Sequence, residues 1–169
     1  MNPEFARIRG YLQAQGAKLS PDDIIAKVKA AMADLHAAAG ALPAARFTER
    51  PEPEEWSGNE VMAHVVDAGR HFGDQIIAIL DGRAQPASRP SSMTERRTAA
   101  EWSAIITADR AELFDRVRKA DAQARLDQLI EHGMFGPLNW RSILLFTRLH
   151  DLDHVGQLQK IAAALARSV

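Results

Sequence analysis

Apolar residues recur along most of this chain at steps of three and four, the period of a helix with one buried face. The series Ile24, Val28, Met32, Leu35 and Leu42 predicts a first main helix. It opens at Ser20-Pro21-Asp22-Asp23, where Ser20 can cap, Pro21 suits the first turn and the two acids favour the positive end of the dipole. Leu19 and Ile24 are spaced as a hydrophobic staple, and Leu42-Pro43 ends the helix. Ser57-Gly58-Asn59-Glu60 is a capping box with Trp56 and Val61 as its staple. It starts a second helix that runs to about Asp81, before Gly82, on the stripe Val61, His64, Ala68, Phe72, Ile76. Thr98 to Glu101 is another capping box, opening a third helix with Trp102, Ile105, Ile106, Leu113 and Val117. Asn139 caps a fourth, which reaches about Arg167. The first nineteen residues form an extension with room for a short helix from about Glu4 to Gln13.

Four such helices predict an all-α four-helix bundle, a single domain over 1–169. The segment from Gly82 to Arg97 is rich in Pro, Ser and Arg and reads as a loop. Its roughly 16 residues can span about 50 Å, whereas the second helix is only about 36 Å long. The loop can therefore cross the whole bundle and leave the second and third helices parallel.

Composition narrows the function. Aromatics are only 6 % of the chain, which suits helices better than sheets. A net charge of −1 with no basic stripe argues against nucleic-acid binding. The chain has no cysteine, so it can offer neither a thiolate ligand nor a thiol nucleophile. No apolar run approaches the ~18–20 residues of a membrane span, and Met1-Asn2-Pro3-Glu4 does not open a signal peptide. The expectation is a soluble cytoplasmic protein acting on a small molecule.

The candidate chemistry lies in the histidines. The fourth helix carries the inward stripe Ile143, Thr147, His150, His154, Leu158, Ile161, Leu165, with histidine at two central places. His150 and His154, at i and i+4, leave one helix face about 5–6 Å apart at Cβ, a spacing that lets two imidazoles share an ion. His64 also faces inward, and a third histidine from a facing helix would complete a three-His site with positions left open for a substrate. A lone inward histidine is more often a hydrogen-bonded core residue, so both readings stand here. Level alignment of His64 with His154 requires a stagger between antiparallel helices. His71, about 10 Å beyond His64, reads as a rim or cavity residue. His36 and His132 read as exposed or loop histidines. Asp67, Asp151 and Asp153 lie off the histidine face and read as solvated, as do Arg83, Arg89, Arg96 and Arg97 in the loop, the last four being candidate anion contacts.

Two stretches carry a family resemblance. Trp56-Ser57-Gly58-Asn59-Glu60-Val61-Met62-Ala63-His64 resembles the opening of the second helix in the DinB-like superfamily. Gly136-Pro137-Leu138-Asn139-Trp140, followed by His150-Asp151-Leu152-Asp153-His154-Val155-Gly156-Gln157, resembles its fourth-helix motif. The resemblance spans about Pro21 to Leu165. It implies an up-down-down-up bundle, a divalent metal held by His64, His150 and His154, Gln157 in support of the site, and a homodimer. Relatives include transferases and isomerases that use bacillithiol, mycothiol or glutathione. The expected function is therefore a metal-dependent S-transferase that activates a small-molecule thiol, with zinc or nickel as the ion. A metal-dependent hydrolase and a non-catalytic, stress-linked metal-binding protein are the alternatives. No catalytic residue beyond the ligands is assigned.

Overall fold

The computed structural model describes residues 2–168. Its elements in chain order are α1 (Pro3–Lys18), α2 (Pro21–Gly40), a single 3-10 turn (Ala44–Arg46), α3 (Gly58–Leu80), α4 (Ala99–Arg118), β1 (Leu129–His132), β2 (Gly136–Asn139) and α5 (Trp140–Arg167). The four main helices begin where their caps predict. Ser20 with Asp23, Ser57 with Glu60 and Thr98 with Glu101 form reciprocal capping boxes, and the Asn139 side chain accepts from the Ser142 amide.

Polar ties between helix ends fix the directions. Near their starts, the indole of Trp102 on α4 donates to Asn59 Oδ1 on α3 at 2.9 Å; near their ends, Arg116 pairs with Asp81. Those helices are therefore parallel. Arg141 at the start of α5 donates to the Leu19 carbonyl just before α2, and Arg46 just beyond α2 donates to the Leu165 carbonyl at 2.7 Å. These two are parallel as well. Phe72 meets Phe146 while His64 meets His150, so α3 and α5 are antiparallel. The result is the up-down-down-up bundle, with the 82–97 loop returning along its length. Ties along α3 fasten that loop: Asn59 to Glu95 and Arg97, Asp67 to Ser91 and Ser92, His71 to Ser88, and Asp74 to Arg89.

Three parts differ from the sequence expectations. Helix α1 is a full sixteen residues rather than a short Glu4–Gln13 piece. Its stripe Phe5, Ile8, Leu12 packs on the core around α5, and Gly16 lies so close to Ser142 that a Cβ there would come within 2.9 Å of its side chain. The first main helix stops at Gly40, two residues short of Leu42. Within the connection before α5, residues 129–139 form a β-hairpin with Leu129 opposite Asn139 and His132 opposite Gly136. Four-residue strands are too short to show a period of two, and Gly136 (φ +68°) closes the turn in the left-handed region.

The core is two apolar clusters in series. One gathers Ile24, Ile76, Phe114, Ile130, Trp140 and Phe146 at the hairpin end. The other gathers Leu35, Val61, Met62, Trp102, Leu158 and Ile161 at the opposite end. Among the described residues, no helix is long and apolar enough to cross a membrane.

Candidate metal centre

At the junction of the two clusters, α3 contributes one histidine and α5 contributes two. His64 Nε2 lies 3.1 Å from His150 Nε2, which lies 3.1 Å from His154 Nε2. All three nitrogens fall within 4.8 Å of one another. The stagger this needs exists because α5 overshoots α3. Its last turns pack beside the segment that leads into α3, where Arg46 holds the Leu165 carbonyl.

Neighbouring side chains orient the rings. His154 Nδ1 donates to Gln157 Oε1 at 2.7 Å, which leaves Nε2 as a bare lone pair aimed at the other two rings. Trp56 packs its ring 5.0 Å from that of His64, and Phe146 packs 5.6 Å from His150. Burial, then the nearby His154 and His64, push His150 down to about 2. Burial and then His154 lower His64, with Asp67 opposing. His64 and His150 are therefore neutral at ordinary pH, the state that binds a cation.

Three converging nitrogens cannot satisfy one another, since each gap admits a single N–H and the Nε2 of His154 carries none. The donor set thus fits one divalent ion with three nitrogen ligands and no carboxylate among them. His64 and His150 are half-buried and His154 is buried. His64 also lines a groove of about 340 Å³ between α3 and the loop, together with Asp67, His71, Phe72, Arg89 and Pro90.

Several other expectations need correction. Asp151 is not solvated: it is fully buried and takes a two-pronged ion pair from Arg110 on α4. His132 is not exposed; it is a buried hairpin residue whose Nδ1 accepts from the Met134 and Phe135 amides. His36 is half-buried, and its Nε2 is sealed without a partner. Asp67 accepts from Ser91 and Ser92 rather than from water alone. His71 does lie on the groove, bonded to Ser88 at 2.8 Å. Asp153 is exposed. In the loop, Arg83, Arg89 and Arg97 pair with Asp81, Asp74 and Glu95, and Arg96 is exposed.

Burial is the leading cause holding down His36, His64, His132 and His150 alike. The folded chain then binds fewer protons than the unfolded one, so stability rises with pH through that range. The contribution is complete above the unfolded value near 6.5 and fades as pH falls toward the folded values. The metal-free protein should accordingly melt at a lower temperature at pH 5 than at pH 7.5. A flat calorimetric profile over that range would contradict this electrostatic account.

Fold and site together define a class: four-helix bundles with a three-histidine cluster inside, partly open to a groove. The chain belongs to the DinB superfamily, whose sequence profile matches residues 27–158. No functionally curated protein matches the sequence. Among solved structures, the chain is similar to TT2238, described as a four-helix bundle protein, at 20 % identity and a TM-score of 0.64, covering 83 % of this chain and 99 % of that one. It is also similar to a histidine-to-alanine mutant of a mycothiol-dependent maleylpyruvate isomerase, at 12 % identity and a TM-score of 0.68, covering 90 % of this chain and 68 % of that one. At these identities the likeness is one of fold.

Proposed function

We propose that His64, His150 and His154 hold one zinc or nickel ion through Nε2, and that the protein is a metal-dependent enzyme that transfers a small-molecule thiol to an organic substrate. The convergence of three imidazole nitrogens is the observation that carries this reading. Bound there, the ion would supply positive charge that favours the thiolate form of a cosubstrate. The chain's own part is to hold the rings and shape the access. Gln157 fixes the tautomer of His154, Trp56 backs His64, and the groove along α3 offers a route for a small molecule. The absence of cysteine supports an external thiol. So does the mycothiol dependence of the isomerase, a fold neighbour. The hydrolase alternative needs a general base, and Asp67, the carboxylate on the groove, is already occupied by Ser91 and Ser92.

The test is to load purified protein with zinc or nickel and assay S-transfer with mycothiol, bacillithiol and glutathione. One ion per chain and transfer that disappears with chelation are expected. Equal transfer by metal-free protein would reject the mechanism. Gln157→Leu keeps the volume and removes the acceptor, so metal affinity should drop about 10- to 100-fold; unchanged affinity in a competition titration would remove Gln157 from the scheme. We also expect a homodimer, which light scattering would register at twice the 18.6 kDa chain mass.

A further inference from the structure

The groove along α3 has a second polar end, away from His64, that the scheme above leaves unused. His71 lies on its wall about 10 Å beyond His64 along the helix, and Ser88 lines it from the 82–97 loop. Both nitrogens of the His71 ring are held. Nδ1 meets Ser88 Oγ at 2.8 Å, and Gln75, one turn further along α3, sets its amide nitrogen 3.1 Å from Nε2. Gln75 is only 8 % exposed, and its carbonyl Oε1 is sealed without a partner. An unpaired buried carbonyl costs free energy that an apolar side chain at that place would not. What Gln75 achieves in return is the orientation of His71.

That orientation has a direction. Turning the amide over would leave an amino group with two N–H donors in the sealed place, and folded proteins tolerate an unpaired carbonyl more readily than an orphaned N–H. Gln75 therefore donates to His71 Nε2. With Nε2 accepting, the ring's proton stands on Nδ1 and is donated to Ser88 Oγ. The hydroxyl of Ser88 keeps its own proton, which has no protein acceptor among the described residues. The other polar groups of the groove are biased the same way. Asp67, the carboxylate on its wall, is spent, with both oxygens taken by Ser91 and Ser92. The two arginines are only partly spent: Arg70 gives Asp109 its Nε, and Arg89 gives Asp74 its Nε and one amino group. Between the two polar ends, Ala68 and Phe72 leave an apolar strip.

We infer that this end of the groove is a carboxylate subsite, in which the Ser88 hydroxyl donates a hydrogen bond to a carboxylate oxygen of the molecule that occupies the groove. Arg70 and Arg89 supply positive charge beside it. Gln75 and His71 are positioning residues that fix Ser88 as a donor, and Ser88 touches the ligand. The ligand class is a short carboxylic acid whose apolar stretch covers Ala68 and Phe72 and whose other end reaches toward His64. A hydroxyl donating to an ionised acceptor makes the stronger, charge-assisted kind of bond. The subsite is built from α3 and the loop and needs no ion, so it stands apart from the metal-site reading above.

The experiment titrates the full chain, 15N-labelled and both with and without zinc, with hexanoate as the carboxylate probe. Wild-type His71 should appear in the Nδ1–H tautomer, and hexanoate should move the resonances of His71 and of the Ser88 amide. Ser88→Ala should weaken the probe's Kd about tenfold, the worth of one hydrogen bond to a charged group, while Ser88→Thr keeps the hydroxyl and the affinity. Hexanamide, which is neutral, should bind more weakly than hexanoate. Gln75→Leu should melt no lower than wild type and should release His71 into a mixture of tautomers. An Nε2–H tautomer in the wild type, or a tautomer unchanged in Gln75→Leu, would overturn the relay. Equal Kd values for wild type and Ser88→Ala, equal affinity for hexanamide, or no shift with hexanoate would overturn the subsite. Binding that requires zinc and ignores Ser88→Ala would place the carboxylate on the ion, which rejects the inference and leaves the metal reading intact. Failure to take up zinc would remove the metal reading alone, with the zinc-free titration still deciding the subsite.

Discussion

His150→Ala should lose its metal while keeping its helices. His150 is the middle of the three rings, 3.1 Å from each of the other two nitrogens, so its removal leaves two ligands on different helices and no closed set. Partners outside the ligand shell are worth about 10- to 100-fold in affinity, and a direct ligand should exceed that, which places the loss above about 100-fold. The fold has little reason to follow. Trp102, Trp140, Met62, Ile143 and the other fully buried side chains lie in the two apolar clusters and need no ion. A chain of this size builds a sufficient core, unlike a zinc finger. Burying three imidazoles also costs free energy in the metal-free state, so the variant should melt at or slightly above the metal-free wild type. Metal analysis, circular dichroism and S-transfer rate on the same samples make the test. Collapse of helicity together with metal loss would show a structural ion and defeat the catalytic reading.

The largest stability effect should come from Arg110→Met. Asp151 is wholly enclosed and Arg110 is only 5 % exposed, so the pair has exchanged water for each other. Removing one partner strands a carboxylate, which costs about 3–5 kcal/mol in comparable buried pairs. For a chain of this length that is a fall in Tm of roughly 6–20 °C. The double variant Arg110→Met with Asp151→Leu replaces both charges by apolar groups and should recover most of the loss. A single variant within about 1 kcal/mol of wild type would mean that water reaches Asp151. The pair also bears on the centre. Asp151 follows His150 on α5 and so points about 100° around the helix from it. Its tie to α4 fixes the rotation of α5, and with it the direction in which both histidines look.

Residues with local signatures were legible in the sequence. Each main helix announces its start through a side chain that bonds a backbone amide three residues on, a relation that needs no tertiary context. The cluster was legible because His64, His150 and His154 interrupt apolar stripes, and the spacing of a stripe is itself geometric. Residues whose meaning depends on distant partners were not. Asp151 read as solvated because Arg110 lies 41 positions away. A signal existed: Arg110 falls on the steps Ile106, Arg110, Leu113, Val117, a charge within a buried stripe, and such a charge calls for a counter-charge. His132 read as a loop residue because its strand is four residues long, and without a strand there is no inner face to assign. The full length of helix α1 is not legible because Gly10 and Gly16 weaken its propensity, although Gly16 is what lets it approach α5.

The chain order of the most extensive helix contact has a consequence for biosynthesis. That contact joins α2 to α5, and α1 also packs chiefly on α5. A ribosome makes α1 and α2 first and their main partner last. Until α5 emerges, the apolar faces of the two leading helices lack their principal cover, and His64 waits for both of its companions. Helices α3 and α4 can pair meanwhile, since they neighbour each other in sequence and share long contact. Closing the remaining, distant pairing carries the larger entropic cost and slows the final step. The nascent chain therefore passes through a state with uncovered hydrophobic surface, the kind that chaperones recognise. Completion of the bundle and assembly of the histidine cluster are then one late event, so a chain interrupted before Trp140 would have neither.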